Sequence, residues 1–192
     1  MLADGVEEFV CDPTFWYSLG IYEEDEIDGQ RLADIKEENE RRRCCAAAYK
    51  FLSARAYSEK NVRMKLAKKF SADAIDYAVE RSRELGLIDD GDLAQILAEQ
   101  FLSQKHFAPG RIMTELLKRG IPREEAQNAV DALEFDAKEE LAALLETKFR
   151  NAVGDEKSIR RAIASLSRMG YGYGEITAAI EKFSGTEVYF DE

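Results

Sequence analysis

Leu66, Leu116 and Leu166 stand 50 residues apart each time, and each sits in a similar local pattern. Leu116-Leu117-Lys118-Arg119-Gly120-Ile121 followed by Ala126 matches Leu166-Ser167-Arg168-Met169-Gly170-Tyr171 followed by Ile176, position for position. Leu66-Ala67-Lys68-Lys69-Phe70 followed by Ile75 is the same pattern with the glycine deleted. A period of this size predicts stacked supersecondary units, each too small to bury a core alone. The expected fold is all-α: three tandem three-helix repeats forming an elongated curved array.

The apolar spacing agrees with that reading from Glu37 onward, since it is helical nearly everywhere. Ala48, Phe51, Leu52 and Arg55 share a face, as do Val62, Leu66 and Phe70, then Ile75, Ala78, Val79 and Ser82. The spacing recurs at Leu93, Ile96, Leu97 and Phe101, at Ile112, Leu116 and Leu117, and at Ala126, Ala129, Val130 and Leu133. It closes with Leu141, Leu144 and Leu145, then Ile159, Ile163 and Leu166, then Ile176, Ala179, Ile180 and Phe183. Ser58 and Asp155 stand where N-caps belong, because a side-chain oxygen there accepts an otherwise unpaired amide hydrogen. Pro109 and Pro122 suit first-turn positions, and Gly86, Gly120 and Gly170 suit left-handed positions just past helix ends. Nine helices after residue 36 are expected, divided as 37–88, 89–134 and 135–184, with 185–192 as a tail.

Residues 1–36 read differently, as an acidic N-terminal segment. Asp4-Gly5 is a hairpin-turn dipeptide, and Val6 to Cys11 reads as a short strand whose partner is missing from the sequence. Phe15, Trp16, Tyr17, Leu19 and Ile21 are too apolar for a solvated tail, so a small subdomain packed on the first repeat is expected.

Charge first argues against a nucleic-acid context, because 38 acidic groups against 27 basic ones leave a net charge of -11. Mapping removes the objection. Residues 1–40 hold 13 acidic side chains and only Arg31 and Lys36, so the whole excess lies there (2 - 13 = -11). Residues 41–69 carry ten basic groups against Glu59 alone, or +9. Such polarity carries more information about partners than the total does.

Catalytic chemistry is hard to assemble. His106 is the single histidine, and near a helix end it reads as structural or exposed. Cys44 and Cys45 are adjacent on a helix and point apart, so they cannot grip one metal; with Cys11 they make an odd count of reduced thiols rather than a disulfide framework. Gly170-Tyr171-Gly172-Tyr173-Gly174 fails both nucleotide-loop spacings and reads as a helix end and the next helix start. Gly86-Leu87-Ile88-Asp89-Asp90 reads as a helix stop and an acidic cap. No catalytic residue, metal ligand or cofactor is expected. The longest apolar run, Cys44 to Tyr49, is far too short for a membrane span, and no signal segment opens the chain, so a cytoplasmic protein is expected.

The cations are the better lead. Arg55, Arg63, Lys65, Lys68 and Lys69 cluster in the first repeat; Arg111, Lys118 and Arg119, then Arg160, Arg161 and Arg168, recur at equivalent places later. Solvated surface and helix-dipole complementarity account for Lys118, Arg119 and Arg168, but poorly for the +9 run. A basic face on a helical array suits a nucleic-acid or nucleoprotein backbone.

At these same motifs the chain resembles the RecX regulatory proteins, modulators of the bacterial recombinase RecA. The likeness lies in Leu52-Ser53-Ala54-Arg55-Ala56-Tyr57-Ser58-Glu59, Val62 to Leu66, and Leu85 to Asp90 with Leu93-Ala94. It continues in Gly110-Arg111-Ile112, Glu115-Leu116, Arg119-Gly120-Ile121, Arg160-Arg161 and Leu166 to Tyr171, in order across residues 20–183. The resemblance implies a crescent of three repeats that binds within the groove of the RecA filament as a monomer and touches the recombinase and its bound single-stranded DNA. It also implies inhibition of filament extension, ATPase, strand exchange and co-protease activity, in DNA repair and the SOS response. A free-standing nucleic-acid-binding helical module and a pure interaction scaffold are the alternatives. The missing glycine of the first repeat and the acidic head depart from the family pattern; folded over the basic stretch, that head would weaken DNA binding.

Overall fold

Polar side-chain caps open half of the described helices. In the computed structural model, the carboxylates of Asp12, Asp28, Asp136 and Asp155 and the hydroxyl of Ser71 each accept a backbone N–H from the first turn of the helix that follows. The structure describes residues 2–3, 6–7, 9–22, 25–150 and 155–185. The order is β1 (Leu2–Ala3), β2 (Val6–Glu7), α1 (Pro13–Ser18), α2 (Gly29–Leu52), α3 (Glu59–Leu66) and α4 (Ala72–Glu84). Then come α5 (Asp90–Lys105), α6 (Pro109–Lys118), α7 (Arg123–Asp131), α8 (Ala137–Glu146), α9 (Glu156–Arg168) and α10 (Tyr173–Ser184). Among the described residues the chain is all-α apart from that hairpin of two-residue strands, and it divides into two compact units at Asp90 and Gly91.

In the first unit, α2 begins at Gly29 rather than Glu37, so part of the acidic stretch is its first two turns. Its inner face presents Cys44, Ala48 and Leu52 to Val62 and Leu66 of α3 and to Ile75, Ala78 and Val79 of α4. Ser82 lies in the same core; its hydroxyl donates to the Ala78 carbonyl at 2.7 Å, which satisfies a fully buried polar group. The short strand expected over Val6 to Cys11 covers only Val6–Glu7, and its partner is present as Leu2–Ala3. Past the hairpin, the chain at Val10 and Asp12 is held by α2. The buried Asn39 side chain donates to the Val10 carbonyl at 2.9 Å and accepts from the Asp12 N–H at 3.3 Å. Phe15 of α1 is buried, with the Arg42 guanidinium 4.6 Å from its ring centre.

The second unit holds two helix triplets. One packs Ala94, Ala98 and Phe101 of α5 with Ile112, Leu116, Ile121, Ala126 and Ala129. The α5 face is rotated from the expected one: small Ala94 and Ala98 go inside to let neighbouring helices approach, while Ile96 is 52% exposed. The other triplet packs Leu141, Leu144 and Leu145 with Ile163, Leu166, Ile176 and Ile180. The triplets are stitched at one joint. The Ala108 N–H donates to the Met169 carbonyl at 2.9 Å, and the Tyr171 hydroxyl donates to the His106 carbonyl at 3.0 Å. His106 itself sits at φ +54° just past α5, with its ring Nδ1 3.3 Å from Glu140.

The repeat period has a visible cause. Leu66, Leu116 and Leu166 are all buried at the same point of their triplets. After the latter two, Gly120 (φ +81°) and Gly170 (φ +100°) turn left-handed, and the N–H groups of Ile121 and Tyr171 reach back five residues to the leucine carbonyls, each at 3.3 Å. The first triplet lacks that glycine and closes one residue sooner, with the Phe70 N–H on the Leu66 carbonyl at 3.2 Å.

Candidate functional site

The eleven cations singled out in the sequence divide by what holds them. In the first unit, Arg63 is committed to its own fold. It binds Glu59 at 2.7 Å and Asp76 on α4, and Arg83 binds the other oxygen of Glu59. Burial pushes the Glu59 carboxyl up, but the hydrogen bond from Arg63 and the charges of Arg83 and Arg63 outweigh it and hold the group below its ordinary value. Arg63 therefore ties α3 to α4 more than it faces outward.

Arg55 and Lys65 are held otherwise. Arg55 lies beyond the end of α2, and its guanidinium sits 4.5 Å from the centre of the Tyr57 ring. The Lys65 ammonium, from α3, lies 5.0 Å from the same ring and 5.6 Å from Phe51, which meets Tyr57 edge-on at 5.3 Å. Neither cation makes an ion pair with another described residue. Lys68 and Lys69 are exposed on the turn that follows α3.

In the second unit, Arg111 and Arg168 come together although 57 positions separate them (168 - 111). Both line a shallow cleft of about 410 Å³ with Gly110, Thr114, Ser167 and Gly170. The close approach depends on Gly170, whose missing side chain leaves room for the Cβ of Arg111. Arg111 also binds Glu115 at 2.8 Å, and Lys118 shares that carboxylate at 3.2 Å. Arg119 lies 5.1 Å from the centre of Phe101. On α9, Arg160 binds Glu156 at 2.6 Å, whereas Arg161 and Arg168, seven residues apart, follow one stripe of the helix with Lys157.

Sequence reading named the cations but missed the rings that hold them: Phe51, Tyr57, Phe101 and Phe107. The available signal was aromatic residues interleaved with basic ones. Among the described residues, no three His, Cys, Asp or Glu side chains converge to hold a metal, and all three cysteines are free. No helix among them is long and apolar enough to cross a membrane.

Known proteins resemble this arrangement over most of its length. Residues 44–81, which contain the Arg55, Tyr57 and Lys65 cluster, match the family model described as RecX, first three-helix domain. The regulatory protein RecX of Caldanaerobacter subterraneus is 29% identical over 93% of this chain and 88% of its own length. That of Syntrophotalea carbinolica is 32% identical over 66% of this chain and 86% of its own length. The crystal structure of RecX from Lactobacillus salivarius superposes with a TM-score of 0.65 at 21% identity, covering 78% of this chain and 99% of that one. Chains that keep this sequence likeness over most of a relative's length share its family, and this chain belongs to the RecX family of regulatory proteins.

Proposed function

We propose that this protein is a non-enzymatic regulator that binds the RecA nucleoprotein filament and inhibits its ATPase, strand-exchange and co-protease activities in the cytoplasm. The observation that carries the reading is a set of exposed cations left without carboxylate partners on a member of a regulatory family. Arg55, Lys65, Lys68, Lys69, Arg161 and Arg168 make no ion pair with another described residue. Arg63, Arg111, Lys118 and Arg160 spend at least part of their charge inside the fold, which makes them weaker candidates.

Mechanistically, the three repeats present cations to recombinase carboxylates and strand phosphates at once. Contacts of that kind compete with closure of one recombinase subunit on the next, so a bound filament neither extends nor stays active. Charged contacts of this type give specificity and fast association more than raw affinity. The reading is tested by the DNA-dependent ATPase of the cognate recombinase at stoichiometric ratios of the two proteins. The rate is expected to fall, and charge reversal at Lys68 and Lys69 to restore part of it. An unchanged rate contradicts the reading. A scaffold without charge-based contacts would be indifferent to that reversal.

A further inference from the structure

The Arg55, Tyr57 and Lys65 cluster has a chemistry of its own. A chain with 38 acidic groups leaves these two cations without an ion pair among the described residues and holds them instead against aromatic rings. Rings position a cation without neutralising it, so the full charge of both groups remains available to an outside anion. The hydrogen bond from Arg55, then the charges of Arg55 and Lys65, pull the phenol of Tyr57 below its usual value.

We propose that Arg55, Lys65 and the hydroxyl of Tyr57 form a clamp for one phosphate of a nucleic-acid strand. A planar guanidinium and a compact ammonium stand 4.5 and 5.0 Å from the centre of one phenol ring, whose own O–H is a third donor. A strand phosphodiester presents two anionic oxygens, one for the guanidinium and one for the ammonium, with lone pairs left over for the phenol. The half-buried rings of Phe51 and Tyr57, packed against the first core, interleave with these cations, a pattern common where proteins track a single strand. The proposal deepens the filament reading by assigning this cluster to the strand rather than to the recombinase.

The test is binding of the full chain to fluorescently labelled oligothymidylate, followed by anisotropy across a salt series without recombinase. The double variant Arg55→Gln, Lys65→Gln is expected to weaken binding about tenfold and to make the slope of log affinity against log salt shallower by about 0.7, the share of the one phosphate contact removed. Tyr57→Phe keeps the ring but loses the donor and is expected to cost a few-fold in affinity with an unchanged melting curve. Lys60→Gln removes an exposed α3 cation outside the cluster and is expected to change affinity by less than about twofold.

Wild-type affinity and slope in the double variant overturn the proposal. If that variant also loses its effect on recombinase ATPase, the cluster reads a protein carboxylate, and the filament reading survives without the clamp. If wild-type protein leaves the ATPase unchanged, the filament reading fails, while the bare-strand measurement still decides the clamp.

Discussion

At φ +100°, Gly170 lies in the left-handed region, and a methyl group there would meet the Cβ of Arg111 at 2.7 Å. Gly86 is left-handed too, at φ +65°, but faces open space. An alanine at Gly86 therefore meets only backbone strain, about 1–2 kcal/mol, while one at Gly170 adds a clash with a second helix. Gly170→Ala is expected to destabilise the protein more than Gly86→Ala in urea unfolding, and equal losses would contradict the packing described. The left-handed position was legible from the glycine itself; the approach of Arg111 was not, because it depends on tertiary contact across 59 positions (170 - 111). The cysteines give a second expectation at this scale. Burial, with Cys45 and Glu40 adding to it, pushes the Cys44 thiol up to about 12. Burial raises Cys45 as well. At pH 8 about one Cys44 in ten thousand is then thiolate, the reactive form. A thiol reagent added to native protein is expected to label the half-exposed Cys11 first and the other two only on unfolding. Simultaneous labelling of all three would contradict that order.

Between elements, the cap on α3 comes from outside the helix. Ser58 occupies the N-cap position but makes no capping bond there; Asp90, at the start of α5, accepts the Glu59 N–H at 2.9 Å. Asp90→Ala is expected to cost about 1 kcal/mol in urea unfolding, the usual worth of a cap. Burial raises the Asp90 carboxyl above its ordinary 3.8, so the folded state holds this proton more tightly than the unfolded chain does. The stabilisation from that proton is present below 3.8 and disappears as pH rises through the folded value. Wild type is therefore expected to lose stability relative to Asp90→Asn as pH rises from about 3 to about 6. A constant difference across that range would contradict the assignment. Legibility at this scale was uneven for a physical reason. Helix faces and glycine stops follow local periodicity, so Val62 with Leu66 and Ile176 with Ile180 could be read directly. The Asp90 cap spans 31 residues, and in the first two turns of α2 only Leu32 and Ile35 mark the inner face among polar neighbours.

Over the whole molecule, charge is arranged rather than balanced. Residues 1–28 hold nine acidic side chains and no basic ones, and their described contacts run to Lys36, Asn39 and Arg42 of α2. An anchored acidic head acts on a distant strand through its field, which salt screens beyond about 10 Å at 0.1 M. Removing residues 1–27 is expected to tighten strand binding at low salt, with the gain fading as salt rises. A gain that persists at high salt would mean direct occlusion instead. The family and the repeat were legible in the order of short motifs and their period. Which cations are spent inside the fold was not, because that depends on partners such as Asp76 and Glu115, invisible until α3, α4 and α6 are packed. The most direct measurement is the lifetime of recombinase filaments on single-stranded DNA, with and without this protein. Faster disassembly that weakens when Arg55, Lys65, Lys68 and Lys69 are neutralised is the predicted result; a lifetime unchanged by the protein would contradict it.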